Sequence, residues 1–208
     1  MNKNTLIFKK DLDISFKGDR DYVYASDMFI LIIKELNEKQ INKIENIDYS
    51  VHDISNKGIK LILFKGDILD SDITFLARIK FTSEGISYIG IIQNNNNEII
   101  NRTEYNEEEI YINSILDKTK NKISLSKEYN RYTNLDVFTS MNKRLLTEIR
   151  PDIHGKWLSV RLQLDNLDDL LSERSNYSIK LAKIFGESLP PEYPYDVPGA
   201  ARNIKAMD

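Results

Sequence analysis

The sequence predicts an α+β protein in which an antiparallel sheet wraps around a buried helix. Three observations predict it. Met28 to Ile33 are apolar without interruption and overlap a stripe of Phe29, Ile32, Ile33 and Leu36 at helical spacing. A helix that is apolar on nearly every face is buried, because a surface helix keeps one polar side. Strand-like runs precede and follow this helix: one or two before it, four after it. Finally, Asp27, Phe29, Lys34 and Leu36 match Asp136, Phe138, Lys143 and Leu145 at a constant offset of 109 residues. Each set opens a helix-like stripe, which suggests an internal repeat.

In chain order, Leu6–Phe8 and Leu12–Phe16 read as strands, the second by alternation of Leu12, Ile14 and Phe16. Gly18-Asp19 is a turn signal. Ser26 or Asp27 supplies a helix cap, and the helix ends near Asn37–Lys39. Ile47–Ile54 and Ile59–Phe64 read as strands, separated by a turn at Lys57-Gly58. Ile73–Phe81 and Ile86–Ile92 make a hairpin around Ser83–Gly85. Asn94–Asn97 reads as an exposed polar loop. Glu107–Leu116 reads as a helix whose first turn carries Glu107, Glu108 and Glu109, as the helix dipole favours.

In the second half, Ile123–Leu125 is a short strand. Asn134 or Asp136 caps a helix bearing Phe138, Met141, Leu145 and Ile149, and Pro151 ends it. His154-Gly155 turns the chain into a strand at Trp157–Leu164. A final helix begins at Leu167–Leu171 and runs through Tyr177–Phe185. Pro190-Pro191 then breaks regular structure. Tyr193–Pro198 is similar to the first six residues of the haemagglutinin epitope tag. The expected organisation is therefore a first α+β unit over 1–116 with its buried helix at 27–37. A smaller α/β unit over 117–189 packs on it, and a tail over 190–208 is irregular or tag-derived.

Composition narrows the function. The chain has 208 residues, no cysteine, two histidines and a formal net charge of −3. Disulfides, thiolate catalysis and cysteine zinc sites are excluded. The charge gives no general footprint for nucleic acid, so none is expected as a partner; Lys118–Lys122 is the one local basic candidate, and a solvated surface explains it more simply. No apolar run reaches about 18 residues, the length that spans a bilayer, and no signal-peptide pattern follows Met1. A cytoplasmic, cofactor-free protein is expected. The abundance of Ile, Asn and Lys points to AT-rich coding and a bacterial or phage source.

The order of strand, buried helix and four strands, together with the junction Arg20-Asp21-Tyr22-Val23-Tyr24-Ala25-Ser26-Asp27-Met28-Phe29, resembles the hotdog fold of acyl-thioester hydrolases and dehydratases. The resemblance covers residues 12–92. It extends to a degenerate double unit if the 109-residue repeat is taken with it. It implies binding of acyl-CoA or acyl-carrier protein at the start of the helix, where backbone N–H groups polarise the thioester carbonyl. By the same resemblance Asp27 is the catalytic candidate, a general base on water, with Tyr22 and Tyr24 lining the substrate site. Tyr24 and Ala25 stand where the junction of many hotdog proteins shows His and Gly, which argues against histidine-dependent dehydration. The bland role for Asp27 is a helix cap, and on that role Asp27→Asn costs no more than about 1 kcal/mol. A unit that is not internally duplicated is expected to pair into a homodimer by sheet extension.

Other candidates are weaker. His52 lies beside Asp53, and His154 lies two residues after Asp152; two histidines without fixed spacing do not make a metal site. No G-x-S-x-G elbow and no phosphate-binding glycine loop occurs. Tyrosines recur at 22, 24, 88, 105, 111, 129 and 132 and suit either strand packing or a protein interface. The rival to the thioester reading is therefore a non-catalytic interaction module of the bacterial immunity, accessory or phage-defence kind. An apolar tunnel beside Asp27 favours the first reading. A sealed core with exposed apolar residues favours the second.

Overall fold

The computed structural model describes residues 5–66, 73–126, 131–152, 161–171 and 176–180. Their elements run β1 (Thr5–Leu12), β2 (Phe16–Lys17), α1 (Ala25–Glu38), β3 (Ile44–Val51), β4 (Lys57–Lys65), β5 (Ala77–Ser83), β6 (Ile86–Glu98), β7 (Arg102–Thr103) and α2 (Glu107–Asn113). They continue with β8 (Ser114–Asp117), β9 (Lys122–Ser126), α3 (Asn134–Ile149), β10 (Arg161–Asn166), α4 (Asp168–Leu171) and β11 (Asn176–Lys180). The chain divides into two compact units. The first is Met1–Tyr105 with Leu162–Leu167, and the second is Asn106–Arg161 with Asp168–Asp208. The fold class is α+β. Among the described residues no helix is long and apolar enough to cross a membrane.

The first unit is a sheet in the order β1-β4-β6-β5-β3-β10, with β2 and β7 as a separate parallel pair. The β1–β4, β4–β6, β6–β5 and β5–β3 ladders are all antiparallel. Strand alternation sets the inner face. On β5, Ala77, Ile79 and Phe81 are buried while Arg78, Lys80 and Thr82 are half-buried. On β4, Ile59, Leu61 and Leu63 are wholly buried. Period-two alternation puts such residues on one face, and only a covered face holds them.

The α1 helix lies on that face. Its Phe29 ring sits 5.3 Å from the Tyr49 ring of β3, and the Tyr49 hydroxyl donates to the Ala25 carbonyl at 3.0 Å. At the far end, Lys10 of β1 reaches Glu35 at 2.7 Å and Glu38 at 3.1 Å. Ser26, Met28, Phe29, Ile32, Ile33, Glu35 and Leu36 are buried, and only the last turns show exposed positions. The helix closes with Gln40 in the left-handed region (φ 60°). The Gln40 N–H then donates to Asn37, and the Ile41 N–H donates to Leu36. These two bonds satisfy carbonyls that the helix end would otherwise leave open.

Several strand limits differ from the expectation. Leu6–Leu12 is one strand, not parts of two, because it pairs continuously with β4 apart from a bulge between Leu6 and Phe8. Lys57-Gly58 lies inside β4 rather than in a turn. A Cβ on Gly58 would fall 2.5 Å from Asn95 Oδ1, so this glycine admits a close neighbour strand. That neighbour is the Asn run: Asn94–Asn97 belongs to β6, not to a loop. Asn96 takes a left-handed φ of 65°, which asparagine tolerates better than most residues. The hairpin at Glu84-Gly85 forms as expected, with both residues at positive φ (50° and 74°), as a tight two-residue turn requires.

The second unit has a three-stranded antiparallel sheet, β11-β9-β8. Helix α3 sits against it, with Phe138 edge-on to Tyr177 at 5.4 Å. The Tyr177 hydroxyl donates to Asn134 Oδ1 at 2.8 Å. The expected helix Glu107–Leu116 stops at Asn113, because Ile115 and Leu116 pair with β9 instead. Arg144 gathers the carbonyls of Tyr111 and Ser114 at that break. The expected final helix through Tyr177 is overturned: α4 is four residues long and Asn176–Lys180 is a strand on β9. Of Trp157–Leu164, the described part belongs to β10, beside β3 in the first unit's sheet. His154-Gly155, Trp157 and the tail over 190–208 lie outside the described residues.

The packing of α1 makes a direct prediction. Ile32 is fully buried, so Ile32→Ala is expected to lower unfolding stability by about 2–5 kcal/mol. Urea melts measure it, and a loss under about 0.5 kcal/mol contradicts the packing described.

Candidate functional site

The segment entering α1 is where the expected site residues meet. Tyr24 is the N-cap, with extended backbone and no side-chain hydrogen bond to the first turn. Asp27 is therefore the third helical residue and not the cap, which corrects both candidate caps, Ser26 and Asp27. Val23 is tied back by its N–H to the Ser55 carbonyl at 2.7 Å. Ser55 in turn donates to Asn94 Oδ1 at 2.5 Å. Asn94 of β6 thus helps position the entry to the helix.

Asp27 is not alone at the helix start. Lys17 Nζ, on β2, donates to Asp27 Oδ1 at 2.5 Å, and the two side chains are only 10% and 22% exposed. The same ammonium lies 4.9 Å from the Tyr105 ring centre and 5.5 Å from that of Tyr24. Arg20 covers the two rings as well, at 4.5 Å from Tyr24 and 5.2 Å from Tyr105. The rings themselves are 6.1 Å apart. Cations favour the negative faces of aromatic rings, and do so more strongly when water is excluded. Arg102 completes the closure by donating to the carbonyls of Gly18 and Arg20, the latter at 2.8 Å. Its guanidinium also lies 5.4 Å from the Phe16 ring.

This arrangement brings Asp27 and Tyr24 together and adds Lys17, Arg20, Arg102 and Tyr105. Tyr22 is half-buried in the same lead-in. Sequence reasoning named Arg20 only as part of the junction and Tyr105 only among the recurrent tyrosines, and it passed over Lys17 and Arg102. The local signal was the mixing of cations and tyrosines at Lys17, Arg20, Tyr22 and Tyr24; nothing local tied Tyr105 to this place, since it lies far along the chain. Chemically, one Asp27 oxygen is committed to an ammonium. That geometry suits a structural ion pair better than a base poised over water. Burial, and then the Asp27 carboxylate, push the Tyr49 phenol well above its ordinary range, so it stays a neutral donor to Ala25.

His52 lies elsewhere, on the sheet face opposite α1. Its Nε2 is 2.9 Å from Ser50 Oγ, and its ring stands edge-on to Phe75 at 5.0 Å. Among the described residues no cluster of three or more His, Asp or Glu side chains is arranged to hold a metal. No family model, no curated protein and no solved structure matches the chain.

Two predictions follow from this geometry. Replacing Asp27 by Asn strands a mostly buried ammonium, so the expected loss is roughly 2–4 kcal/mol, well above that of a missing cap. A double-mutant cycle with Lys17→Met in urea measures the coupling; a loss below about 1 kcal/mol for Asp27→Asn restores the cap reading. For His52, burial first and then Arg78 lower the pKa from the ordinary value. The unfolded chain takes up this proton near pH 6.5, while the folded chain takes it up only at lower pH. Stability from this group is therefore present above about pH 6.5 and is lost as pH falls toward the folded midpoint. A ring-proton titration midpoint below 6.5 is expected, and one at or above it contradicts the assignment.

Proposed function

We propose that this chain is a protein–protein interaction module, a cytoplasmic bacterial component of the immunity, accessory or phage-defence kind. The observation that carries the reading is the state of the α1 entry. Asp27 is held at 2.5 Å by Lys17, whose ammonium also lies against the rings of Tyr24 and Tyr105. A carboxylate held by an ammonium that its own chain's aromatic rings also bind serves to close a fold. Exposed apolar side chains support the same reading. Leu6 and Ile7 adjoin on β1, and Ile112 and Ile115 lie either side of the α2–β8 junction. At the edge of the sheet, β1 carries Lys9, Lys10 and a bulge. Charge and bulges discourage strand-to-strand pairing, which weighs against a homodimer built by sheet extension.

The hotdog-like reading, with acyl-CoA or acyl-carrier protein as ligand, is the second one. It is favoured by the order β1, α1, β3 to β6 around one helix and by the absence of a side-chain cap from Tyr24. Without that cap, the helix N-terminus suits a carbonyl oxygen. Turnover decides between the two. Wild type, Asp27→Asn and Lys17→Met are assayed for hydrolysis and dehydration of short- and long-chain acyl-CoA and acyl-carrier substrates, each normalised to its folded fraction. No turnover in any protein is expected. Turnover in wild type that falls about a hundredfold in Asp27→Asn replaces the interaction reading with the enzymatic one.

A further inference from the structure

The three-stranded sheet of the second unit has two faces of opposite character. Ile123, Leu125, Tyr177 and Ile179 are buried on the side where α3 packs. The residues between them point the other way, because side chains alternate along a strand. Register lines these up in rows. Asp117 of β8 opposes Lys122 of β9, which opposes Lys180 of β11. Farther along the same face Ser124 opposes Ser178, and Ser126 opposes Asn176. Lys180, Ser126 and Asn176 are exposed, and Lys122, Ser124 and Ser178 are half-buried, so this face is open to water.

Lys122 and Lys180 stand directly opposite each other. Opposed like charges destabilise a strand pair, and among the described residues neither ammonium forms an ion pair. Asp117, on the other side of Lys122, is already engaged. Its Oδ1 accepts from the Thr119 N–H, the Thr119 hydroxyl and the Lys120 N–H, and its Oδ2 lies 3.4 Å from Lys120 Nζ. The Ser124 and Ser178 hydroxyls have no hydrogen-bond partner among the described residues. Unpaired positive charge therefore adjoins free hydroxyls. Within the basic run Lys118–Lys122, the fold commits Lys118 to Glu148 at 2.8 Å. It brings Lys180 beside Lys122 from far along the chain.

We propose that this face binds the phosphate backbone of duplex DNA, with Lys122 and Lys180 on phosphate oxygens and the Ser124 and Ser178 hydroxyls donating beside them. Lysine and serine are depleted in protein–protein interfaces, whose centres are apolar or aromatic. Lysine, serine and asparagine are, by contrast, regular donors to phosphate oxygens. Ile115, opposite Ser124 at the β8 edge, is the large apolar side chain of this face, too little to anchor a protein partner. The described residues of the face include no aromatic ring, so the unstacked bases of a single strand find no platform. Short serines keep the contact at the backbone, away from the 2′-hydroxyls that distinguish RNA. Backbone contacts carry no sequence information, so binding is independent of sequence. Every residue invoked belongs to the second unit, and the proposal does not depend on the reading of the α1 entry.

The test is fluorescence anisotropy of a labelled, mixed-sequence DNA duplex titrated with the full chain at low salt. A Kd below about 100 μM is expected, unchanged when the duplex sequence is scrambled. Added salt should weaken binding, with log K falling against log salt at a slope of about −2 for two phosphate contacts. Lys122→Gln combined with Lys180→Gln should weaken binding about tenfold or more and flatten that slope. Lys60→Gln, across from Asp11 in the first unit, should change neither. Ser178→Asp, which adds a carboxylate to the face and keeps both lysines, should also abolish binding. Thermal melts separate a binding role from a structural one, because relieving opposed like charges leaves the melting temperature unchanged or raises it. No binding at low salt, binding that survives the double substitution, or a melting temperature that falls with it overturns the proposal. So does equal or tighter binding of single-stranded DNA, duplex RNA or polyglutamate.

Discussion

The ion pair between Lys17 and Asp27 is the constraint on which the first unit's architecture turns. Its two side chains are largely withdrawn from water, and a charge there is tolerable only with its partner in place. Lys17 comes from β2, whose partner β7 ends two residues before Tyr105. The pair therefore brings together the lead-in to α1 and the segment after β6. Arg102 reinforces the same closure through the Gly18 and Arg20 carbonyls. On the other flank, Ser55 and Asn94 hold Val23. The start of α1 is thus fixed from both sides before its apolar body meets the sheet.

The likeness between the two long helices gains a physical meaning from their caps. Helix α1 begins after Tyr24 and α3 begins after Thr133, which keeps the 109-residue offset at the caps themselves. Asp27 and Asp136 both occupy the third helical position. Thr133 has a hydroxyl that accepts from the Asp136 N–H, while Asp136 accepts from the Thr133 N–H, closing a capping box. Tyr24 cannot do this, because its hydroxyl lies beyond the ring and out of reach of the first turn. Its ring instead serves the cations, and Asp27 is left to Lys17. One carboxylate position therefore serves backbone hydrogen bonding in one helix and charge pairing in the other. After the helices the paths diverge, since β3 to β6 build one sheet while α3 is followed by a strand that enters that same sheet.

Much of the first unit was legible in the sequence. The buried helix, the hairpin at Glu84-Gly85 and the alternating strands follow from local periodicity and turn chemistry. The limits that failed were those set by partners. Ile115 and Leu116 continue a helical stripe by themselves but have β9 to pair with. Tyr177 and Ile179 read as helical and are strand residues for the same reason. The Asn run reads as a loop by composition and is a strand because β4 offers it a ladder and Gly58 makes room. In the candidate site, Asp27 and Tyr24 were legible as a helix start. Their roles were not, because Lys17 and Tyr105 reach them only through the fold.

By itself, then, the sequence determined an α+β chain without cysteine chemistry, with one helix apolar enough to demand burial and a second helix opening on the same pattern. These properties depend on composition and on spacings of a few residues, which local sterics and hydrophobic periodicity translate directly into structure. The tertiary structure decided what Asp27 touches, which face of the sheet Arg78 shares with Ile91, and which short apolar runs become strands. Each of those depends on neighbours tens of residues away. A side chain's chemistry sets what it can bond to, while the fold alone decides which of those partners is within reach.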